Sequence, residues 1–168
     1  HSDWLLDIAE KKRDFFEESD LGHVDLPRLQ RGQISSMMCA VFVRNEDLPH
    51  HALIQTLRGT DRLRRIVDNS DGAVRLVECY EDLETAQQDE AFGAILHYEG
   101  AEAIDPEFTI LRLSYALGLR SLGLVWSRSN IFAEGVGDHN RERGLTYLGK
   151  ELVRRCNDMG ILVDVSHL

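Results

Sequence analysis

The chain has 168 residues, 43% of them hydrophobic and 29% charged, which suits one globular domain with a sizeable core. Its formal net charge of −10 argues against nucleic acid and against an anionic membrane surface as partners, whereas a divalent metal ion would suit that charge. No signal peptide or membrane-spanning apolar run is visible, and three widely spaced cysteines form no disulfide framework, so we expect a reducing, cytoplasmic compartment.

Apolar runs alternate with helical patterns along the first half of the chain. Residues 36–43 (SMMCAVFV) predict a buried strand, because they form a short and almost continuous apolar run. Residues 50–67 predict a longer helix. The apolar stripe expected of this helix consists of Ile54, Leu57, Leu63 and Ile66. A short strand at 74–78, a helix at 82–89 and a strand at 92–98 (FGAILHY) follow.

The next helix has clear signals at both ends. Asp105 can cap it, Pro106 suits its first position, and Gly118 can end it. Residues 122–126 then predict a strand, and a polar loop rich in Gly and Asn covers residues 127–144.

The last helix and strand complete the alternation. Thr146 can cap this helix and Gly160 can end it, with Cys156 on its inward apolar face. Residues 161–165 predict the final strand. Like Cys156, Cys39 lies among apolar residues, so both thiols are expected in the core.

Continuous apolar strands that alternate with amphipathic helices predict a parallel sheet covered by helices. Candidate functional residues follow three of these strands: Glu99, then residues 127–130, then His167. Both α/β barrels and doubly wound sheets place their sites at the carboxyl ends of parallel strands. We therefore expect the functional site at this edge of the sheet.

The first three residues contain a possible metal-binding pair, His1 and Asp3. In an extended segment, residues two apart point the same way, so an imidazole and a carboxylate can reach one ion together. The same spacing recurs at His23 and Asp25, in a segment that resembles a loop entering a strand. There we expect caps and turns rather than a metal site, so the spacing alone is a weak signal.

Glu99 and His167 each come at the end of an apolar strand. A carboxylate in that place can bridge two metal ions or act as a general base, and a surface acid is an equal alternative for Glu99. His167 can bind a metal or polarise a substrate carbonyl, and a helix cap is its structural alternative. His97 is expected to be a hydrogen-bonded core or supporting histidine, and Asp164 to orient its neighbours.

Five segments taken in order resemble the membrane dipeptidase (renal dipeptidase) family of zinc peptidases. The matching segments are HSDWLLDI, HVDLPRLQRGQISSMMCAVFV, AILHYEGAEAID, LSYALGLRSLGLVWSRSNIFAEG and GLTYLGKELVRRCNDMGILVDVSHL. They run along nearly the whole chain. The patterns of other hydrolase and nucleotide-binding classes, such as G-x-S-x-G, H-E-x-x-H and Walker A, are absent from the sequence.

The resemblance implies a TIM-like (α/β)8 barrel that hydrolyses dipeptides at a two-zinc centre through a metal-bridging hydroxide. It implies that His1 and Asp3 bind the first Zn²⁺ and that Glu99 bridges both ions. It also implies that His167 contacts the scissile carbonyl and stabilises the tetrahedral intermediate, and that Asn130 lies in a substrate-facing loop.

Because such a barrel needs roughly 250 residues, residues 1–168 are expected to form about the first half of one metallopeptidase domain. The resemblance places the first barrel strand ahead of His1. It places the remaining zinc histidines, a substrate-binding arginine and a late catalytic aspartate after Leu168. We therefore expect these residues by themselves to be inactive. A homodimer is the oligomeric state that the resemblance implies.

Two alternatives keep the same fold. One is a metal-dependent amidohydrolase that acts on another small amide or on a lactam, and the other is a non-catalytic binding protein.

Overall fold

The computed structural model describes residues 1–137 and 144–167. The strands are β1 (Ser36–Phe42), β2 (Val74–Leu76), β3 (Phe92–Glu99), β4 (Leu119–Gly123) and β5 (Leu162–Asp164). The helices are α1 (Trp4–Lys11), α2 (Leu26–Arg31), α3 (Ala52–Asp68), α4 (Tyr80–Gln88), α5 (Thr109–Ala116) and α6 (Tyr147–Met159), and a 3-10 turn covers Asn45–Asp47. No helix in the described ranges is both long enough and apolar enough to cross a membrane.

All five strands are parallel and form one sheet in the order β1-β3-β4-β5. The short strand β2 pairs with the beginning of β3, and β4 pairs with its end, along the edge of β3 opposite β1. Ser2 extends the sheet beyond β1, because its N–H donates to the Met38 carbonyl (3.1 Å) and its carbonyl accepts from the Ala40 N–H (2.9 Å). The residues on either side of Ser2 therefore lie beside the middle of β1.

The predicted alternation of strands and helices is confirmed, and β1 and β3 differ from the predicted strands by one residue at their ends. Both Cys39 and Cys156 are fully buried, as expected. The Thr146 hydroxyl accepts from the Gly149 N–H (3.0 Å), and Gly160 ends α6 with φ at 69°. These two residues cap α6 as the sequence predicts.

Helix α3 faces the sheet with small side chains, so the predicted apolar stripe is partly wrong. Leu63 is buried, but Ile54 and Leu57 are 43% and 37% exposed. A Cβ added to Gly59 would lie 2.6 Å from Val41 Cγ1. At Gly59 the helix therefore lies too close to β1 for a larger side chain to fit, and Ile54 and Leu57 lie on the exposed side of the helix.

The start of α5 also differs from the prediction. The helix begins at Thr109, after Phe108 in the left-handed region (φ 58°), so Pro106 does not occupy its first position. The Asp105 carboxylate nevertheless accepts from the N–H groups of Thr109 (3.1 Å) and Ile110 (2.7 Å). Asp105 caps the helix from four residues away.

Three further differences concern the ends of apolar runs. Strand β4 ends at Gly123 rather than continuing to residue 126, although the buried Leu124 still accepts from the Ala101 N–H. Asp25 caps α2 through the Arg28 N–H (3.0 Å), which confirms a cap but shows that a helix follows instead of a strand. Helix α1 was not predicted, and Asp3 precedes it without making a side-chain cap.

Candidate metal centre

Three of the parallel strands bring polar side chains to one edge of the sheet. His97 and Glu99 lie at the end of β3, Asp164 ends β5, and His167 follows three residues later. His1 joins them because Ser2 pairs with β1. These five residues form the candidate metal centre. Its location at the carboxyl ends of the strands is the one that the sequence predicts.

Glu99 lies between two histidines. Its Oε1 atom is 3.3 Å from His1 Nε2 and 3.1 Å from His167 Nε2, and its side chain is only 11% exposed. Burial raises the pKa of Glu99, the neighbouring His167 lowers that pKa, and the charge of Asp3 raises it again. A buried carboxylate with a raised pKa is in a place where a cation would stabilise its ionised form.

Asp164 connects the other two histidines. Its Oδ2 atom is 3.1 Å from His1 Nδ1 and 3.5 Å from His97 Nε2. Burial raises the pKa of Asp164, but hydrogen bonds from Ser166 and the nearby His97 and His167 outweigh that effect, so the net shift is downward. Asp164 is therefore ionised at neutral pH, and an orienting role for it stays a prediction.

His97 is fully buried and hydrogen-bonded, which confirms the expectation of a core histidine. Its Nδ1 atom lies 2.9 Å from the Ser121 hydroxyl, and its ring stacks on that of His1 with the ring centroids 4.8 Å apart. Burial lowers the pKa of His97 to about 4, although Asp164 opposes that shift. The His97 ring is therefore neutral at physiological pH.

The side chains at this edge fit a divalent metal ion. The nitrogen and carboxylate atoms of His1, Glu99 and His167 all lie within 4.8 Å of one another, and those of His1, His97 and Asp164 form a second such group. The buried Nε2 atom of His97 makes no hydrogen bond within the part of the chain that the structure describes. Imidazole nitrogens with carboxylate oxygens are a donor set that Zn²⁺ accepts.

Among the described residues, Asp3 is part of neither of these two groups of possible metal ligands. It stands just before α1, is exposed, and affects Glu99 only through its charge. It also lines a cavity of about 220 Å³ together with Asp7, Glu10 and His23. The structure thus brings together His1, Glu99 and His167 of the predicted site residues, with Asp3 at their margin.

Asn130 lies in the loop after β4, and its side chain holds that loop in shape. Its Nδ2 donates to the Leu124 carbonyl (2.7 Å), and its Oδ1 accepts from the N–H groups of Phe132 (2.8 Å) and Ala133 (3.3 Å). Both ends of the amide are engaged within the chain. A contact between Asn130 and a substrate stays a prediction.

Sequence reasoning missed an ion pair in the neighbouring loops. Arg128 donates to Asn45 Oδ1 (2.6 Å) and to the Val43 carbonyl, and its guanidinium lies 3.4 Å from the buried carboxylate of Glu102. Burial raises the pKa of Glu102, and Arg128 opposes that shift. The sequence places both residues just after strands, but it gives no sign that they meet. Arg128 thus ties together the loops that follow β1, β3 and β4.

Residues 1–168 match the family described as membrane dipeptidase (peptidase family M19). The chain belongs to the membrane dipeptidase family. A similar sequence is dipeptidase tcpJ of Claviceps purpurea, which is 27% identical over 184 residues that include all of this chain and 43% of that protein. The membrane dipeptidase resemblance seen in the sequence is thereby confirmed.

Two solved structures are similar along the whole chain. The metallopeptidase of Rhodobacter sphaeroides, liganded with a phosphinate mimic of the dipeptide L-Ala-D-Ala, has a TM-score of 0.90 and 28% identity, and 57% of it is covered. Dipeptidase AC, a metallopeptidase of family M19, also has a TM-score of 0.90, with 30% identity and 55% of its length covered. The TIM-barrel-like α/β fold of membrane dipeptidases is confirmed, and the chain spans about half the length of these relatives.

Proposed function

We propose that this protein is a metal-dependent dipeptidase and that the chain carries part of its active site. The observation that carries the proposal is Glu99 Oε1, which lies within 3.3 Å of His1 and 3.1 Å of His167 at the carboxyl end of a parallel sheet. Membership of the membrane dipeptidase family supports the same chemistry. The names of relatives support it too, since they are described as dipeptidases or metallopeptidases.

We assign two Zn²⁺ ions to the site, as the resemblance implies. His1, Asp3 and Glu99 would hold the first ion, and Glu99 would also hold the second. The contact of one Glu99 oxygen with both histidines supports a bridging role for that carboxylate. When bound, two such ions supply a water of lowered pKa as nucleophile and a Lewis acid for the carbonyl oxygen.

His167 has two proposed roles, and they predict different results. The resemblance implies that it contacts the scissile carbonyl, whereas its Nε2 atom, 3.1 Å from Glu99, favours a metal ligand. In the full-length gene product, His167→Gln should lower the zinc bound per chain if His167 is a ligand. If it acts only on the carbonyl, bound zinc should stay unchanged while kcat falls.

The experiment that tests the proposed function is a metal-dependence assay on the full-length gene product. The dipeptide L-Ala-D-Ala is a sensible first substrate, because a mimic of it binds the Rhodobacter sphaeroides relative. We expect hydrolysis of dipeptides that stops after chelation and returns with Zn²⁺. Preference for a β-lactam or an N-acyl amino acid in the same panel would replace the dipeptidase proposal by the amidohydrolase alternative. Absence of any metal-dependent hydrolysis would contradict both.

The domain organisation, the homodimer and the cytoplasmic location stay predictions. Light scattering of the full-length gene product tests the dimer, and cell fractionation tests the location.

A further inference from the structure

The His1 imidazole is held at both of its nitrogens. Its Nδ1 atom lies 3.1 Å from Asp164 Oδ2, and its Nε2 atom lies 3.3 Å from Glu99 Oε1. A neutral imidazole carries one proton, and the hydrogen bond made by one nitrogen decides which of the two keeps it. The carboxylate of Asp164 therefore determines which His1 nitrogen is available to a metal.

We propose that Asp164 is a positioning residue for His1. By accepting the Nδ1 proton, it fixes the tautomer in which His1 Nε2 has a lone pair directed toward Glu99, and it fixes the orientation of the ring. A carboxylate that orients a metal-binding histidine raises the basicity of the ligand and stabilises the bound ion. This inference rests on the proposed function, because it assigns Asp164 a role toward the metal ion.

The two oxygens of Asp164 are divided between different partners. Its Oδ1 atom accepts from the N–H of Ser166 (3.0 Å) and from the Ser166 hydroxyl, which leaves Oδ2 directed at His1. The backbone of Asp164 is fixed as well, because it pairs with Gly123 of β4 in the sheet. Ser166 thus holds the carboxylate in the rotation that contacts His1.

The His97 ring packs against one face of the His1 ring. The two rings are stacked with an interplanar angle of 22°, and His97 is itself fixed through Ser121. Stacking on one side and Asp164 at the ring edge leave His1 little freedom to rotate. His1 is therefore preorganised in the metal-free protein, so less conformational entropy is lost when an ion binds.

Direct binding of the metal by Asp164 is the competing explanation, since His1, His97 and Asp164 also form a group with ligand atoms within 4.8 Å. One observation favours positioning. His1 Nε2 already lies in the group with Glu99 and His167, so Nδ1 is the nitrogen left for a hydrogen bond.

The test compares Asp164→Asn with the wild type and with Asp158→Asn in the full-length gene product. Asp158 is an exposed residue of α6, so its substitution removes the same charge away from the site. We measure Zn²⁺ affinity by competition with a chelator, and metal content at saturation with Zn²⁺ and with Co²⁺. Asp164→Asn should weaken one site about 10–100-fold while the number of ions bound at saturation stays unchanged. Asp158→Asn should change neither, and Asp164→Glu should restore part of the affinity.

Two results would overturn the inference. Unchanged Zn²⁺ affinity in Asp164→Asn would show that the contact with His1 has no effect on the metal. Loss of one bound ion at saturation would show that Asp164 is itself a ligand. If Asp164→Asn does not fold, Ser166→Ala takes its place. It should weaken Zn²⁺ binding by a smaller factor, and unchanged affinity would again refute the role of Asp164. A wild-type protein that binds no Zn²⁺ would instead refute the proposed function.

Discussion

Between α3 and the sheet, polar side chains are buried as hydrogen-bonded pairs, whereas at the carboxyl end of the same sheet carboxylate and imidazole side chains face one another. Thr60 donates to the Thr56 carbonyl (3.0 Å), and its hydroxyl lies 2.9 Å from that of Tyr98. At the candidate metal centre, Glu99 contacts only histidines among the side chains described, and the buried His97 Nε2 has no hydrogen bond there. In the first region the buried polar groups satisfy one another, whereas in the second a buried nitrogen lacks a hydrogen-bond partner among the described residues, as expected of a ligand-binding site.

We interpret this difference as a separation between residues that stabilise the fold and residues that we propose to serve function. A buried polar pair that is fully satisfied should matter for stability and little for catalysis. A buried carboxylate that lacks a cation should cost stability in the metal-free protein while catalysis depends on it. Substitutions between α3 and the sheet should therefore lower stability and leave catalysis unchanged. Substitutions at the candidate metal centre should lower catalysis without destabilising the metal-free protein.

The largest effect is expected for Glu99→Gln in the full-length gene product. The amide cannot bridge two cations as a carboxylate does, so hydrolysis should fall on the order of 10²–10³-fold, as it does when one electrostatic contact is removed from an active site. Dipeptide turnover with added Zn²⁺ measures this loss. Glu107→Gln, in an exposed residue before α5, is the matched control and should keep wild-type activity.

The same substitution should not destabilise the metal-free protein. Burial raises the pKa of Glu99 in the folded state, so the folded protein binds its proton more tightly than the unfolded chain does. Stability from this group is therefore present at low pH and is lost as the pH rises from the unfolded pKa to the folded one. At neutral pH, Gln removes that cost, and the free energy of unfolding should stay equal or rise. A clear fall would show that Glu99 is a structural residue.

Sequence patterns predicted where the candidate metal-centre residues meet better than they predicted how the helices pack. Glu99 and His167 could be found because each ends an apolar run, and parallel strands bring such ends together. Ile54 and Leu57 were misplaced because periodicity assumes that the largest apolar residues face the core. Gly59 is an exception to that assumption, because it allows α3 to approach Val41 so closely that no larger side chain fits at this position.

The contacts within the candidate metal centre lay beyond the sequence. The contacts of Asp164 and His97 depend on which strands are neighbours and on their register. An apolar run in the sequence predicts a strand, but it specifies neither the neighbouring strand nor the register. The Arg128–Glu102 pair joins loops 26 positions apart in the sequence, and no local pattern predicts it. Asp105 is a local example: its capping role was predicted correctly, but the residue at which α5 begins was not.

Gly59→Val tests the close approach of α3 to β1. The added side chain would collide with Val41, whose branched side chain is buried and cannot move aside, so the free energy of unfolding should fall by about 1–3 kcal/mol. Leu57→Val, on the exposed side of the same helix, is the control and should change it by about 0.5 kcal/mol or less. Chemical denaturation measures both. Equal effects would mean that α3 does not pack closely on the sheet.

The smallest effect is expected for the Thr60–Tyr98 pair, and a double-mutant cycle isolates it. Thr60→Val and Tyr98→Phe should each lower the free energy of unfolding by about 1 kcal/mol, because each removes one partner of a buried hydrogen bond. Ser114 also lies beside the Tyr98 hydroxyl, so Thr60→Val does not leave that group without a neighbour. The double mutant should lose less free energy of unfolding than the sum of the two single changes, since both remove the same contact.

Dipeptide turnover and Zn²⁺ affinity should match the wild type in all three variants. Strict additivity would show that the hydroxyls do not interact, and a loss of turnover at unchanged stability would place this pair with the candidate metal centre.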